Sequence, residues 1–341
     1  MAEKRPWYRR PARVIPTILL ASGLVTALVA VLSPWPSALL IRAVFQDDAV
    51  KTLAEMERHA PTTGLVEQLD VAYGDGPDET LDVFSPDGDD ALPTLVWIHG
   101  GAWISGSKEN VRPYVQLIAA GGFTAVALDY TVAPEATYPT ALGQLNDALA
   151  YLVENAAELR IDPDRLVIAG DSAGANLTSQ LALLTTSPEY AEEVGIRPAL
   201  TPEQLRGVVL NCGIYDVSGI PDAPGLGGWG FRIALWSYFG ERDWADTPGD
   251  RQMSTLDWVT PDFPTTWISG GNSDPLTPSQ SEPLAAKLDT LGVDVTTVFY
   301  PADHEPALPH EYQFHLDGDD AQAALGSTLA FLDRVLDDSA Q

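Results

Sequence analysis

The residues GDSAG at 170–174 are the part of this sequence whose types and spacing most directly indicate chemistry. They follow an apolar run that ends near Ala169 and precede a helical pattern that starts near Asn176. A serine on such a tight strand-to-helix turn is exposed as a nucleophile, and its small neighbours allow the turn without a Cβ clash. The free N–H groups at the helix N-terminus favour a developing negative charge. We expect Ser172 to be a nucleophile; an ordinary glycine-rich turn is the alternative.

A second glycine-rich stretch, HGGA at 99–102, closes a predicted strand about 70 residues before the serine. Consecutive glycines let backbone N–H groups come close to a substrate oxygen, as an oxyanion hole requires. We expect the N–H groups of Gly100 and Gly101, together with that of Ala173 after the nucleophile, to form this hole. A plain Gly-Gly turn is the alternative.

The elements that must position these residues alternate between short β-branched runs and longer amphipathic stretches. Eight candidate strands are 69–74, 79–85, 94–100, 124–130, 165–172, 207–212, 265–271 and 295–300. Helical patterns are clearest at 140–157, 175–187, 279–291 and 318–337. The central runs are apolar throughout, as is typical of strands that crossover helices bury on both faces. We predict an α/β fold with an eight-stranded, mostly parallel sheet, helices on both faces and an edge hairpin.

Two segments do not fit this alternation, 46–68 and about 214–258. The second is rich in Trp, Phe and Gly (GLGGWGFRIALWSYFGERDW). Its aromatic residues form either a second packed layer or a roof over a substrate pocket, and we favour a small cap built from both segments. The candidate residues for the substrate pocket are Trp103, Asp171, Tyr215 and Trp229.

The composition argues against several kinds of site and partner. The formal net charge is −29, and we expect no nucleic-acid partner because such binding depends on Lys and Arg at phosphates. Cys212 is the single cysteine, which excludes an intramolecular disulfide and a Cys/His metal cluster. In its apolar run it is interpreted as a small buried hydrophobe. We expect no metal and no organic cofactor.

The N-terminal segment has the pattern of a membrane anchor. Residues 14–32 (VIPTILLASGLVTALVAVL) carry no charge, and a helix of this length nearly spans a hydrocarbon core of about 30 Å. The positive-inside rule then holds the N-terminus in the cytoplasm, because five basic residues precede the run: Lys4, Arg5, Arg9, Arg10 and Arg13. We expect an uncleaved single-pass anchor in the cell membrane, with the rest of the chain on the extracytoplasmic side. A cleaved signal peptide, leading to secretion, and a buried core helix are the alternatives.

These motifs together resemble the hormone-sensitive-lipase-like branch of the α/β hydrolases, with the bacterial family IV esterases and arylacetamide deacetylase. The similarity runs from about residue 80 to the C-terminus. HGGAW at 99–103 resembles the family's HGGG loop, DYTVAPEATYPTAL at 129–142 its DYRLAPE stretch, and DPDRLVIAGDSAGANL at 162–177 its nucleophile region. Two departures are Ala102 for the last glycine and Thr131 for arginine.

The hydropathy pattern, the alternation of elements and the resemblance together divide the chain into three parts. A basic N-terminus and anchor occupies 1–45, and a cap or linker occupies 46–68. The α/β-hydrolase domain follows at 69–341, with the cap insertion at about 214–258.

The resemblance also implies a triad in the chain order Ser, Asp, His. Asp274 follows the seventh strand and matches the family's Asp-Pro-Leu; a carboxylate there orients the imidazole and stabilises the imidazolium. Three of the five histidines lie beyond the last strand. His304 has the family's interval from that strand, whereas His310 in LPHEYQF resembles the family's Pro-His-Gly-Phe. We favour His310 as the base, and His304 and then His315 stay open.

The resemblance implies a serine carboxylesterase that hydrolyses short to medium acyl esters of small molecules through an acyl-enzyme. An amidase or peptidase on the same fold is an alternative because it would use the same groups. A non-catalytic ligand-binding member of the branch is a third hypothesis; plant hormone receptors of this kind lack the catalytic histidine. A structural membrane protein with an incidental G-x-S-x-G leaves the HGGA loop unexplained.

Overall fold

The computed structural model describes residues 15, 23, 29–220, 225–245 and 247–337. Its centre is an eight-stranded sheet in the order β1-β2-β4-β3-β5-β6-β7-β8. The strands are β1 (Leu65–Ala72), β2 (Thr80–Pro86), β3 (Leu92–Ile98), β4 (Thr124–Leu128), β5 (Ile161–Asp171), β6 (Leu205–Asn211), β7 (Thr266–Gly270) and β8 (Val295–Phe299).

The sheet is antiparallel only at one edge. β1 pairs with β2 and β2 pairs with β4 in the antiparallel sense, while the strands from β4 to β8 in the sheet order pair in parallel. All residues of β4 and β7 are buried, which accounts for their continuous apolar sequences. The prediction of a mostly parallel sheet with an edge hairpin is confirmed.

Helices cover both faces of the sheet. They are α1 (Trp35–Met56), α2 (Lys108–Ala120), α3 (Thr140–Glu154), α4 (Ala173–Thr186), α5 (Pro188–Val194), α6 (Gly225–Phe239), α7 (Pro248–Met253), α8 (Glu282–Leu291) and α9 (Asp319–Leu336). α3, α4 and α8 pack in the core on one face, with Val96 and Ile98 of β3. α2 and α9 pack on the other face, with Leu95 and Trp97 of the same strand. Successive residues of β3 therefore point to opposite faces of the sheet and pack in two separate cores.

The clearest differences from the sequence patterns lie before β2. The first strand covers Leu65–Ala72 and not 69–74, because a bulge between Gln68 and Val71 interrupts the two-residue alternation on this half-exposed edge strand. The segment 46–68, predicted as cap or linker, contains the second half of α1, a turn and the start of β1.

A buried lysine ties α2 to the antiparallel edge of the sheet. Lys108 is 1% exposed, and its Nζ donates to Asp70 at 2.6 Å and to Asp82 at 2.7 Å. Arg112, one turn later, donates to the other oxygen of Asp82 at 2.7 Å. Asp82 is fully buried, so these two cations stabilise a carboxylate whose desolvation would otherwise be very costly.

The predicted membrane anchor at 14–32 lies largely outside the described residues, which include only 15, 23 and 29–32 of it. Among the residues that are described, no helix is both long enough and apolar enough to cross a membrane. The helix α1 begins at Trp35, just after the apolar run.

Candidate active site

Ser172 lies in the sharp turn between β5 and α4. Its φ is +50° and its ψ is −117°, a backbone conformation that non-glycine residues rarely adopt. Its N–H donates to the carbonyl oxygen of Asn211 on β6 at 2.8 Å. Gly174 lets α4 approach β3, because a Cβ at this position would lie 2.1 Å from the carbonyl oxygen of Ile98. The motif thus forms the strand–turn–helix that its sequence predicts.

The structure brings Ser172, His310 and Asp274 together. Nε2 of His310 lies 3.0 Å from Oγ of Ser172, and its Nδ1 lies 2.7 Å from Oδ2 of Asp274. Asp274 is 2% exposed, and its other oxygen accepts the N–H of Leu276 at 2.9 Å. The carboxylate is therefore fixed on both sides and holds the imidazole with Nε2 towards the hydroxyl.

The other candidate bases lie elsewhere. Nε2 of His304 pairs with Asp320 of α9 at 3.0 Å, so this histidine links the loop after β8 to the last helix. Nδ1 of His315 lies 3.2 Å from a carboxylate oxygen of Glu55 on α1. Of the three histidines that the sequence left open, the structure places His310 against the nucleophile.

The surroundings of His310 favour its protonated form. Burial alone would lower the pKa of His310, but the hydrogen bond to Asp274 opposes this effect. The negative charges of Glu311, Asp274 and Asp171 act in the same direction as that bond, and together they raise the pKa to about 9. The site is thus built to stabilise the imidazolium that forms when the ring accepts a proton.

The glycine-rich loop after β3 lies beside the nucleophile. Gly101 has a φ of +103°, and a Cβ there would lie 2.2 Å from the carbonyl oxygen of Ser105, so only glycine fits. The N–H of Gly100 donates to Oδ2 of Asp171 at 2.9 Å. The prediction that Gly100 faces a substrate oxyanion is therefore wrong, because its donor is already used by a buried carboxyl group. Gly101 and Ala173, the latter at the first position of α4, stay as candidate donors.

His99 shapes this loop and is not a base. Its Nδ1 lies 2.9 Å from the carbonyl oxygen of Gly100, and its ring stacks on Tyr130 with centroids 4.4 Å apart. Burial lowers the pKa of His99 to about 4, which keeps the ring neutral at physiological pH.

A pocket of about 1000 Å³ contains Ser172 in its lining. Both segments predicted to form a cap contribute to it: Gln46, Thr52 and Glu55 of α1 are among the lining residues from the first, and Trp229 of α6 is among those from the second. Asp171 also lines the pocket, beside the nucleophile. Two of the four predicted pocket residues, Asp171 and Trp229, are therefore part of it.

The other two predicted pocket residues belong to the core. Trp103 is fully buried and stacks on Tyr238 with centroids 5.6 Å apart. Tyr215 is also fully buried, within the core on the α4 face of the sheet. The prediction that Trp103 and Tyr215 line the pocket is therefore wrong, because their large aromatic surfaces pack in the core.

Sequence reasoning missed two contributors to the pocket. Leu40, Val44 and Phe45 of α1 line it, although they precede the segment predicted as cap; the spacing of Leu40 and Val44, four residues apart, could have indicated one helical face. Glu311 also lines it. Its φ of +58° suits the position at which the resemblance places glycine.

Cys212, Asp274 and His310 place three potential metal-ligand atoms within 4.8 Å of one another. The hydrogen bond between His310 and Asp274 already engages two of these groups. Burial raises the pKa of the Cys212 thiol well above its usual value, and a protonated thiol is a poor ligand. The donor set fits a triad with a buried thiol behind it better than it fits a metal site.

Comparison with known proteins places this geometry in a family. The family profile described as BD-FAE matches residues 81–288. Carboxylesterase NlhH of Mycobacterium tuberculosis is 32% identical over 259 residues, which cover 72% of this chain and 75% of that protein. Esterase LipQ of the same organism is 30% identical over 239 residues, which cover 68% of this chain but 54% of that protein. The chain thus spans about half the length of LipQ.

Solved structures show the same fold. Esterase B from Lactobacillus rhamnosis superimposes with a TM-score of 0.76 at 23% identity, covering 88% of this chain and 96% of that one. The hyperthermophilic esterase of Pyrobaculum calidifontis gives a TM-score of 0.69 at 20% identity, covering 92% and 97%. The profile match, the mycobacterial relatives and the fold agree with the motifs around Ser172. The chain therefore belongs to the BD-FAE family, among the family IV esterases of the α/β-hydrolase fold.

Proposed function

We propose that this protein is a membrane-anchored serine carboxylesterase that hydrolyses short to medium acyl esters of small molecules through an acyl-enzyme. The observation that carries the proposal is the hydrogen-bonded series from Ser172 through His310 to Asp274, with separations of 3.0 and 2.7 Å. A hydroxyl, an imidazole and a buried carboxylate in this order are the groups that acyl transfer requires.

In the acylation step, Nε2 of His310 accepts the hydroxyl proton as Oγ of Ser172 bonds to the ester carbonyl carbon. The carbonyl π electrons move to oxygen, and the N–H groups of Gly101 and Ala173 stabilise this oxyanion. When the tetrahedral intermediate collapses, the bond to the alkoxy oxygen breaks. The imidazolium of His310 then gives its proton to the leaving alcohol, and Ser172 is left acylated.

Deacylation repeats these steps with water. His310 accepts a proton from a water molecule, whose oxygen attacks the carbonyl carbon of the acyl-enzyme. Collapse of the second intermediate breaks the bond to Oγ of Ser172. The imidazolium returns the proton to Oγ, a carboxylic acid is released and the free serine is regenerated. Asp274 keeps the tautomer and the orientation of the ring throughout.

The pocket supports an acyl ester as the substrate. Apolar side chains from α1 and α6 surround the space beside Ser172: Leu40, Ile41, Val44, Phe45, Leu226, Trp229 and Phe231. Such a lining stabilises a hydrocarbon chain by removing its surface from water. A volume of about 1000 Å³ accommodates short and medium chains together with a leaving alcohol.

Exposed apolar residues at the pocket mouth support the membrane part of the proposal. Leu40 and Val44 of α1 are 61% and 59% exposed, and Leu226 of α6 is 85% exposed. Because α1 follows directly after the apolar run at 14–32, an anchored chain would hold these residues near the bilayer surface. The basic N-terminus favours the extracytoplasmic side for the pocket by the positive-inside rule. Secretion after cleavage is the alternative.

An amidase or peptidase with the same triad is the second candidate for the reaction. It would differ in the protonation of a poorer leaving group. Turnover of an ester and of an anilide with the same acyl chain separates the two candidates.

The test is hydrolysis of p-nitrophenyl esters from acetate to laurate by the full chain and by Ser172→Ala. We expect activity that is highest for short and medium chains and that falls by about 10⁴-fold or more in the variant. Matching circular dichroism and unfolding curves would show that the variant is folded. Wild-type activity in a folded Ser172→Ala protein would contradict the proposal.

A further inference from the structure

The first half of α1 presents apolar side chains to the outside of the molecule. Four of its large apolar residues are exposed: Trp35, Leu39, Leu40 and Val44. A surface helix normally turns such side chains towards the core and its polar side chains outward. Exposed apolar residues that lie together mark places where a protein binds another protein, a lipid or a ligand.

The one charged residue in this part of the chain is bonded to the protein. Between residues 14 and 46 the sequence contains a single charge, Arg42. Its Nε donates to the carbonyl oxygen of Ile104 at 2.7 Å, and a terminal nitrogen donates to that of Ala133 at 2.8 Å. The two terminal nitrogens also pair with Glu135 at 2.7 and 2.6 Å. These bonds fix the rotation of α1 about its axis, so the charge stays on the protein side and the outward side is apolar.

The exposed apolar residues of α1 border the pocket. Leu40 and Val44 line the pocket that contains Ser172. Leu226 and Trp229 of α6 line it as well, and both are exposed. We refer to these exposed residues of the two helices together as the apolar face: Trp35, Leu39, Leu40, Val44, Leu226 and Trp229. An apolar molecule that covers this face would therefore lie at the entrance to the site.

The neighbouring sequence favours a lipid surface as what covers the apolar face. The uncharged run at 14–32 ends just before α1 begins at Trp35. Tryptophan side chains prefer the boundary between hydrocarbon and headgroups, and the apolar face contains Trp35 and Trp229. The formal net charge of −29 makes attraction to anionic headgroups unfavourable. Contact with lipid would therefore depend on burial of apolar surface, which this face provides.

We propose that the apolar face rests in the surface of a lipid bilayer and that the pocket receives its substrate from the bilayer. The substrate class is then an ester that partitions into lipid, with its acyl chain entering between α1 and α6. Entry from lipid avoids passage of the hydrocarbon chain through water, which is unfavourable for every methylene group. The substrate part of this inference rests on the proposed function, whereas the contact with lipid does not.

The first measurement is contact between the apolar face and lipid acyl chains, with the full chain reconstituted in phosphatidylcholine vesicles. Cys212 is fully buried, so a fluorophore attaches at the new cysteine of Leu226→Cys. Leu226 lies on α6, far along the chain from 14–32, so its label reports on the face and not on the proposed anchor. We expect phosphatidylcholine with a nitroxide on its acyl chain to quench this label by about twofold or more.

Asp262→Cys is the matched control for labelling. Asp262 is exposed and precedes β7, so it lies at the edge of the parallel strands opposite to Ser172, and its label should not be quenched. A label at position 226 that the nitroxide lipid does not quench overturns the inference. This holds equally if the label is shielded from water, since a second copy of the chain or the N-terminal residues would then cover the face.

The second measurement is the route of the substrate, tested by Leu39→Glu. Leu39 is 46% exposed and is not among the residues that line the pocket, and a carboxylate there opposes contact with hydrocarbon. We expect hydrolysis of p-nitrophenyl decanoate held in phosphatidylcholine vesicles to fall by about tenfold. Hydrolysis of p-nitrophenyl acetate, which is dissolved in water, should keep the wild-type rate.

Leu69→Glu is the control for this substitution, because Leu69 on β1 is 44% exposed, and both esters should keep their wild-type rates. Leu39→Gln replaces Leu39→Glu if circular dichroism shows that the latter is unfolded. Equal rates for the folded variant and the wild type on the vesicle-held ester, or equal losses on both esters, overturn entry from lipid. If the wild-type chain hydrolyses neither ester, the proposed function fails while the quenching still decides the lipid contact, so the two failures are distinguishable.

Discussion

The protonation of His310 decides how the proposed reaction responds to pH. Burial alone would lower the pKa of this residue, but Asp274 and the neighbouring carboxyl groups raise it to about 9. Only the neutral imidazole accepts the Ser172 proton, so kcat/KM for a neutral ester should rise as the pH increases through 7 and level off near the raised pKa. A pH–rate profile corrected for spontaneous hydrolysis measures this. If kcat/KM already reached its plateau below pH 6, the raised pKa of His310 would be contradicted.

Substitution of two histidines separates the base from a structural residue of the same type. His310→Ala should lower kcat by roughly 10⁴-fold, because it removes the proton acceptor of Ser172. His304→Ala removes the contacts with Asp320 and with the ring of Tyr300, neither of which belongs to the triad, so its kcat should stay near the wild-type value. Both are measured with one p-nitrophenyl ester at saturating concentration. Equal losses in the two variants would show that the assignment of the base is incorrect.

At the residue level, motifs with fixed local geometry were predictable and residues placed by tertiary contacts were not. Ser172 follows from its turn, since the same five residues dictate both the backbone and the nucleophile. The choice between His304 and His310 depends on the conformation of the loop after β8. The spacing of residues along the chain does not determine that conformation. Gly100 failed as a predicted donor because the acceptor of its N–H, Asp171, lies on a different strand.

At the scale of elements, the buried ion pair between Lys108 of α2 and Asp82 of β2 should contribute strongly to stability. Lys108→Met leaves the buried Asp82 with Arg112 as its remaining cation, and we expect a loss of about 3 kcal/mol in the free energy of unfolding. Urea unfolding followed by circular dichroism gives this value. Lys51→Met is the control, since Lys51 makes only exposed ion pairs. If Lys108→Met lowered the free energy of unfolding no more than Lys51→Met does, the stabilising role of the buried Lys108–Asp82 pair would be contradicted.

Elements with a strong apolar signature were predicted well, and elements with mixed surfaces were not. The buried strands from β3 to β7 appear where their apolar runs lie, because both of their faces meet helices. The predicted bounds of the edge strand β1 were wrong because its bulge interrupts the alternation of the sequence. α2 was not among the clear helical patterns, because its sequence KENVRPYVQLIAA contains a proline and begins with a lysine. That lysine is buried because its ammonium group pairs with Asp70 and Asp82.

At the scale of the whole molecule, the proposed anchor makes a prediction about fractionation. The full chain should sediment with membranes, resist extraction by alkaline carbonate and dissolve in detergent, because an uncharged run at 14–32 is long enough to span the bilayer. Leu19→Arg should weaken this association, whereas Leu69→Arg, on the exposed edge of β1, should not. Recovery of a soluble mature chain that begins after residue 32 would favour cleavage and secretion instead.

The central claim is that the hydroxyl of Ser172 is an activated nucleophile, and covalent labelling tests it most directly. A fluorophosphonate probe should add one phosphonyl group per chain, and peptide mass spectrometry should locate the group on Ser172. His310→Ala should label far more slowly, because the probe reacts only with a hydroxyl whose proton is removed. A folded wild-type protein that stays unlabelled, or a label on any other residue, would contradict the account.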